Sequence, residues 1–296
     1  MTFEPEPVPR DGADEEVDAM AQRGHLLLET LHTVVYFAVE VRDAFAARGL
    51  HGRTGYFAGR SAALGAVPPD VVSATFAVFA PDFVRTRMAG LWDAHSPQEM
   101  LDTRHDAVAA VLHRVLGGTD VTRAAELTAV ACAALRPHGR PLYAAHAVLP
   151  RPAEPLMALW HDATLLREYR GDGHVAAMTT AGIHPLEAMI LHGHATGTTG
   201  FLRSTRGWSD DAWAAASARL RDRGWLTGAG ADEVVTEAGR AAKRNLERAT
   251  RAAALAGWSA LGPAGAQELV TELAPLREAL MASDVFPPGS PLKPVR

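Results

Sequence analysis

The chain has 296 residues, 48% of them apolar, enough for one large domain or two of ordinary size and for a well-filled core. Its formal net charge of −5 excludes a strongly basic nucleic-acid footprint over the whole chain and leaves room only for a local patch. Its one cysteine, Cys132, excludes an internal disulfide; with no signal-peptide pattern and only short, interrupted apolar runs, the expected location is the cytoplasm, away from any membrane.

Residues 1–20 are acidic and proline-rich and read as a disordered tail. The first strong helical period runs from about Gly24 to Arg48, with Leu27, Leu31, Val34, Val35 and Ala38 on one face. GYFAGRSAAL follows as a short helix closed by Gly65, and VPPDVVSATFAVF carries its prolines in a first turn, where a missing N–H is harmless. Ser96 and Glu99 stand in capping-box register around Pro97, opening a helix that closes at Gly117. Another helix runs from Asp120 to about Leu135, before Pro137. The proline-rich RPHGRPLYAAHAVLPRPAEP then reads as the connection between an N-terminal half, 21–150, and a C-terminal half, 151–284.

Helix returns from about Leu156 to Tyr169, is expected to break at the GDG of LLREYRGDGHVAAM, and resumes to about Ala181. A helix from Pro185 is followed by one with Ser209 as N-cap, Asp210 and Asp211 in its first turn and Gly224 as its stop. The period then changes. WLTGAG and EVV read as two short strands around a glycine turn, followed by a helix capped by Thr236 that runs to about Leu255. A last helix, roughly Ala264 to Ala282, precedes a proline-rich tail, 285–296.

The order helix, helix, hairpin, helix is a winged-helix pattern. The stretch SARLRDRGWLTGAGADEVVTEAGRAAKRNLE resembles the MarR-type winged helix. Through TLHTVVYFAVE, GYFAGRSAALG and TLLREYRGDGHVAA, the chain from about residue 24 to residue 257 resembles the bacterial SalK-like winged-helix proteins. That resemblance implies a fold more than an activity. The expected fold is mainly α, with a MarR-like winged helix in the C-terminal half. A degenerate counterpart is expected in the N-terminal half, because 49–84 and 182–226 share a glycine–apolar–histidine start, a capped second helix and a closing aromatic.

Two groups of residues are candidates for a ligand site. His32 and Tyr36 are four apart and share a helix face with Glu40, an unusual polar stripe in an apolar segment; Tyr56 and Arg60 repeat the spacing. Arg60, on a small apolar helix, needs a partner if buried, either Glu40 or a ligand anion. In RGDGH, Asp172 would cap a new helix, Arg170 would offer a fork to a carboxylate or phosphate, and His174 would give or take a proton near neutrality. The alternative for this stretch is packing alone: a cap, a surface ion pair such as Arg170 with Glu168, and a half-buried histidine.

For DNA, a winged helix places its second helix in the major groove. Here that helix opens on Asp210 and Asp211 and the hairpin tip is GAGADE, which sets carboxylates against phosphates. Arg203, Arg206 and Arg219 are the cations a DNA-binding reading would use. His192 and His194, two apart, do not chelate from one helix, and no zinc, phosphate-loop, dinucleotide or nucleophile-elbow motif occurs, so neither metal nor cofactor is expected. The first functional expectation is a small-molecule-binding protein, with its ligand between the halves, anionic if Arg60 and Arg170 serve it. The second is a ligand-responsive transcriptional regulator that binds DNA. The third is an enzyme of specialised metabolism using the pocket for acid/base chemistry. A homodimer stays open.

Overall fold

The computed structural model describes residues 12–288, 290 and 292. Helix α1 spans Gly12–His32, α2 Val34–Phe37, α3 Val39–Ala46, α4 Arg53–Ser61, α5 Pro69–Phe76, α6 Pro81–Met88 and α7 Leu91–Ala94. Then come α8 (Pro97–Leu116), α9 (Thr122–Ala133), α10 (Pro141–Ala147), α11 (Pro155–Thr180), α12 (Pro185–Thr196), α13 (Thr199–Thr205) and α14 (Asp210–Asp222). Strands β1 (Leu226–Thr227) and β2 (Val234–Val235) pair antiparallel with Leu226 opposite Val235. Helices α15 (Glu237–Ala254) and α16 (Ala256–Ala282) follow, and Gly262, at φ 64, kinks α16 just before its proline-initiated second part. The chain is mainly helical.

Three of the expected caps form, although the Glu99 carboxylate turns to Arg48 and does not complete a capping box. Ser96 Oγ accepts the Glu99 N–H at 3.2 Å, Ser209 Oγ that of Ala212 at 3.1 Å, and Thr236 Oγ1 that of Gly239 at 3.1 Å. Each satisfies an N–H that the first turn leaves without a carbonyl partner.

Longer-range expectations change more. Helix α1 begins at Gly12, inside the segment read as a tail, because Val17 and Ala21 are already core residues; positions 1–11 of that tail lie outside the described residues. The period from Gly24 to Arg48 is three helices, broken at Thr33 and at Ala38, whose ψ of 134° is extended. The proline-rich connection contains α10.

The break at GDG does not occur: α11 runs unbroken through Arg170–His174. A glycine inside a helix costs about 1 kcal/mol against alanine, and Gly173 has a packing reason. A Cβ there would lie 2.5 Å from Arg140 Nη1 and 3.1 Å from the Ala253 methyl. The Arg140 guanidinium crosses that gap, donating to the carbonyls of Tyr169 and of Ala253. The glycine lets α11 and α15 approach with an arginine between them.

Two main cores result. The larger takes Val17 to Tyr169 together with Trp258 to Phe286, so α16 returns to pack on α1 and α9. The smaller holds Leu186, Ile190, Trp213, Leu220, Leu226 and Val235, within the segment α12–β2. Leu156, Leu159 and Trp160 lie in the larger core, so a division at 150 does not separate the cores; the change falls on α11 between Tyr169 and Met178. We call the two parts the body and the module. Among the described residues no strand occurs in the N-terminal half, so any counterpart there lacks a wing. Among the same residues no helix is long and apolar enough to cross a membrane.

Candidate functional site

A cavity of about 540 Å³ lies between α1–α4, α11 and the module's α13. That is the size of an ordinary small-molecule site. The break at Thr33 and the extended Ala38 turn Tyr36 and Phe37 onto its wall, and α4 brings Tyr56 and Arg60. Its lining is aromatic and cationic: Arg42, Arg53, Arg60, Arg104, Arg167 and Arg206 face it against one lining carboxylate, Glu29.

Behind the wall, Glu168 on α11 is fully enclosed. Arg60 Nε and Nη2 donate to its two oxygens at 3.0 and 2.9 Å, and Arg167 Nη1 adds a bond at 2.6 Å. Burial favours the neutral acid, but the two guanidiniums more than offset it and hold the carboxyl well below its usual range. Arg60 answers in kind: burial works against its charge, and Glu168 raises it above its ordinary value. Glu40, one of the two partners considered for Arg60, instead pairs with Arg114 at 2.6 Å. Arg60 Nη1 also donates to the Tyr56 hydroxyl at 2.9 Å.

His32 closes α1 beside this network. Its Nε2 meets the Tyr36 hydroxyl at 2.8 Å and its Nδ1 meets Thr164 Oγ1 at 3.0 Å. Desolvation, then Arg167, holds its pKa well below the usual value, so the imidazole is neutral at physiological pH. Burial lifts the Tyr36 phenol above its ordinary range, so it remains a protonated donor. A histidine that resists protonation and a tyrosine that resists deprotonation suit hydrogen bonding better than acid/base turnover.

The cavity's far wall belongs to the module. Between α13 and α14, the Ala80 N–H donates to the Arg206 carbonyl at 3.0 Å and the Trp208 indole donates to the Val78 carbonyl at 2.9 Å. Gly207 adopts φ 74, and a Cβ there would lie 2.3 Å from the Phe83 ring. Only glycine lets this turn seat so closely on the body. Ala77, at φ 51, sits in the left-handed region immediately before the seat.

Arg206 reaches from this turn into the cavity. Its guanidinium lies 4.9 Å from the Phe79 ring centre of the body and 5.8 Å from that of Phe201 of the module. Its Nη1 donates to Thr205 Oγ1 at 3.1 Å, while its buried Nε has no partner and no carboxylate among the described residues pairs with it. Desolvation pulls its pKa down to about 10. It stays charged, without a counter-ion, in a place where charge is costly.

The other predicted residues fall elsewhere. Arg170 pairs with Glu247 at 3.1 Å in a separate, smaller cavity. Asp172 caps no new helix of its own; its carboxylate accepts the Tyr143 N–H at 2.9 Å, in the first turn of α10, and burial lifts its pKa to about 6. His174 meets Thr250 Oγ1 at 2.9 Å at the α11–α15 contact. Thus His32, Tyr36, Tyr56 and Arg60 come together, and Arg170, Asp172 and His174 do not join them. Arg53, Arg104, Arg167 and Phe201 on the cavity escaped notice, because single residues scattered over four helices leave no spacing signal.

On the module's surface, the arginines have partners. Arg203 pairs with Asp210 at 2.5 Å, Arg219 with Glu187 at 2.6 Å and Arg221 with Glu233 at 2.8 Å. The exposed side of α14 carries Asp210, Asp211, Ala214, Ala215, Arg219 and Asp222. Beyond the hairpin, α15 exposes Arg240, Arg244 and Arg248 one turn apart, the first two shared with Glu237.

Compared with known proteins, the chain matches the model of a helix-turn-helix family over residues 21–287. No curated protein and no solved structure matches it. The match covers nearly all of the chain, which therefore belongs to this helix-turn-helix family.

Proposed function

We propose that this member of the helix-turn-helix family is a ligand-responsive DNA-binding regulator whose signal is an organic anion held in the cavity between body and module. The observation that carries the reading is Arg206. A desolvated guanidinium without a counter-ion stands on the turn between α13 and α14, flanked by one ring from each part. An anion with an apolar body would satisfy it, with Arg53 nearby on the same wall and Tyr36, Tyr56 and Arg60 as the polar floor, Tyr36 being held from behind by the buried His32. Because the same turn seats the module on Val78–Phe83, filling the cavity would bias how α14 is presented. A ligand shifts such an equilibrium only by its differential affinity for the two seatings.

In this reading α12–α14 with the β1–β2 hairpin form a MarR-like, SalK-like winged helix, and the exposed arginines of α15 beside the hairpin supply phosphate contacts. A second reading is favoured by α14 itself. Its exposed carboxylates oppose phosphates, which fits an anion-binding protein whose module no longer meets DNA. Selection from random duplexes at low salt separates the two. The regulator reading expects an enriched sequence, bound with a steep salt dependence and weakened by Arg240→Gln with Arg244→Gln. No enrichment would leave the second reading.

A further inference from the structure

We propose that the smaller cavity, between α1, α11, α15 and α16, is a second, independent site that takes a small apolar monocarboxylate. Its volume is about 220 Å³, room for about seven waters at the liquid's share of roughly 30 Å³ each. That excludes the larger molecules the first cavity could hold.

Its walls divide by chemistry. Leu28, Leu166 and Trp258 make an apolar floor, and Trp258 is fixed there by Gly24, where a Cβ would fall 1.9 Å from the indole. Opposite stand Arg170, Arg251, Glu247, Gln22 and His25. Arg170 spends one Nη2 bond on Glu247 at 3.1 Å and keeps further N–H groups. His25 has no hydrogen-bond partner among the described residues, although its ring is partly buried. An imidazole set in a cavity beside a half-used guanidinium is a prepared pair of donors.

Electrostatics select the charge. Desolvation, then Arg170 and Arg167, drive the His25 pKa down to about 3 against the opposing pull of Glu247, so the potential at this ring is positive. That favours an anion. Glu247, on the same wall, works against a second negative charge and so against phosphate dianion. Leu28, Leu166 and Trp258 form the apolar part of the lining, which favours a short hydrocarbon chain behind the carboxylate. Arg167 lines both cavities, but its bonds to Glu168 and Glu29 turn it toward the first.

The test is a titration of the full chain with sodium butyrate, followed by the imidazole resonance of His25 and the indole N–H of Trp258. Butyramide, butylammonium and inorganic phosphate serve as comparators. Butyrate should move both resonances along one saturable curve, with a dissociation constant of about 1–10 mM for so few atoms. Butyramide, butylammonium and phosphate should each bind at least about tenfold more weakly, in line with a lost charge-assisted bond. His25→Asn leaves every ion pair in place and should weaken butyrate severalfold; Arg170→Gln should abolish it; Arg206→Gln, at the first cavity, should leave it unchanged. Butyrate binding that is absent, matched by butyramide, or indifferent to both His25→Asn and Arg170→Gln would overturn the proposal. Neither outcome bears on the larger cavity.

Discussion

The arginines of the body's cavity and those of the module's surface live under opposite conditions. On the module, Arg203, Arg219 and Arg221 reach solvent, and each has a carboxylate within 2.5 to 2.8 Å. In the cavity, cations outnumber carboxylates, and Arg206 has none. Arg203 and Asp210 are both exposed, so their pairing changes little, while Arg219 and Arg221 neutralise the buried carboxylate of Glu187 and the largely buried one of Glu233. In the second group Arg60, Arg104, Arg167 and Arg206 are desolvated, so the excess charge there has a consequence. Between these two groups, the guanidinium without a carboxylate, Arg206, is the one that faces the cavity.

The largest effect should come from removing the one carboxylate that organises the cavity wall. Glu168→Gln leaves Arg60 and Arg167 buried against a neutral amide and should cost about 3–5 kcal/mol in chemical denaturation. The matching change on the module, Asp210→Asn, removes an exposed partner of Arg203 and should cost at most about 1 kcal/mol. Equal losses would erase the contrast.

Next comes Arg206 itself. Replacing it with leucine takes away a buried donor that nothing satisfies, so stability should rise, by about 1 kcal/mol on the scale of one unsatisfied group. Arg60→Leu, in the same wall but paired, should lower stability instead. A fall in both variants would mean that Arg206 has a partner in solution.

A smaller effect separates two carboxylates one turn apart on α11. Glu168 titrates below its usual range, so its stabilisation is present above pH 4.5, its ordinary pKa, and is lost as pH falls from there. Asp172 is raised from 3.8 to about 6, so the folded state binds a proton more readily than the unfolded chain. Its contribution is fully present below pH 3.8 and is lost as pH rises to about 6. Asp172→Asn should flatten that decline in a pH series of denaturation curves and leave the acid-side loss from Glu168 in place.

Local chemistry was legible in the sequence where it was self-contained. Ser96, Ser209 and Thr236 cap as their spacing implies, and the hairpin forms around its glycine turn, because each depends on a few neighbouring residues. His32 and Tyr36 meet as their four-residue interval suggests, even though α1 ends at His32. What could not be read was set by distant partners. The glycines of GDG look like a helix break, and only the Arg140 side chain, with Ala253 beyond it, gives Gly173 its place inside α11. Arg206 reads as a DNA contact because nothing in the sequence says that Phe79, more than a hundred positions earlier, will stand beside it. Glu168, the partner of Arg60, lies 108 positions away, and Glu40 looked nearer.

Anilinonaphthalene sulfonate, an aromatic monoanion that brightens on leaving water, tests the inward-facing charge most directly. Titrated into the wild-type chain, it should bind one molecule per chain and raise the melting temperature. Arg206→Gln should lose both effects, while Arg203→Gln and Arg219→Gln, on the module's surface, should keep them. Binding that survives Arg206→Gln unchanged, or that disappears equally with the surface arginines, would contradict the account.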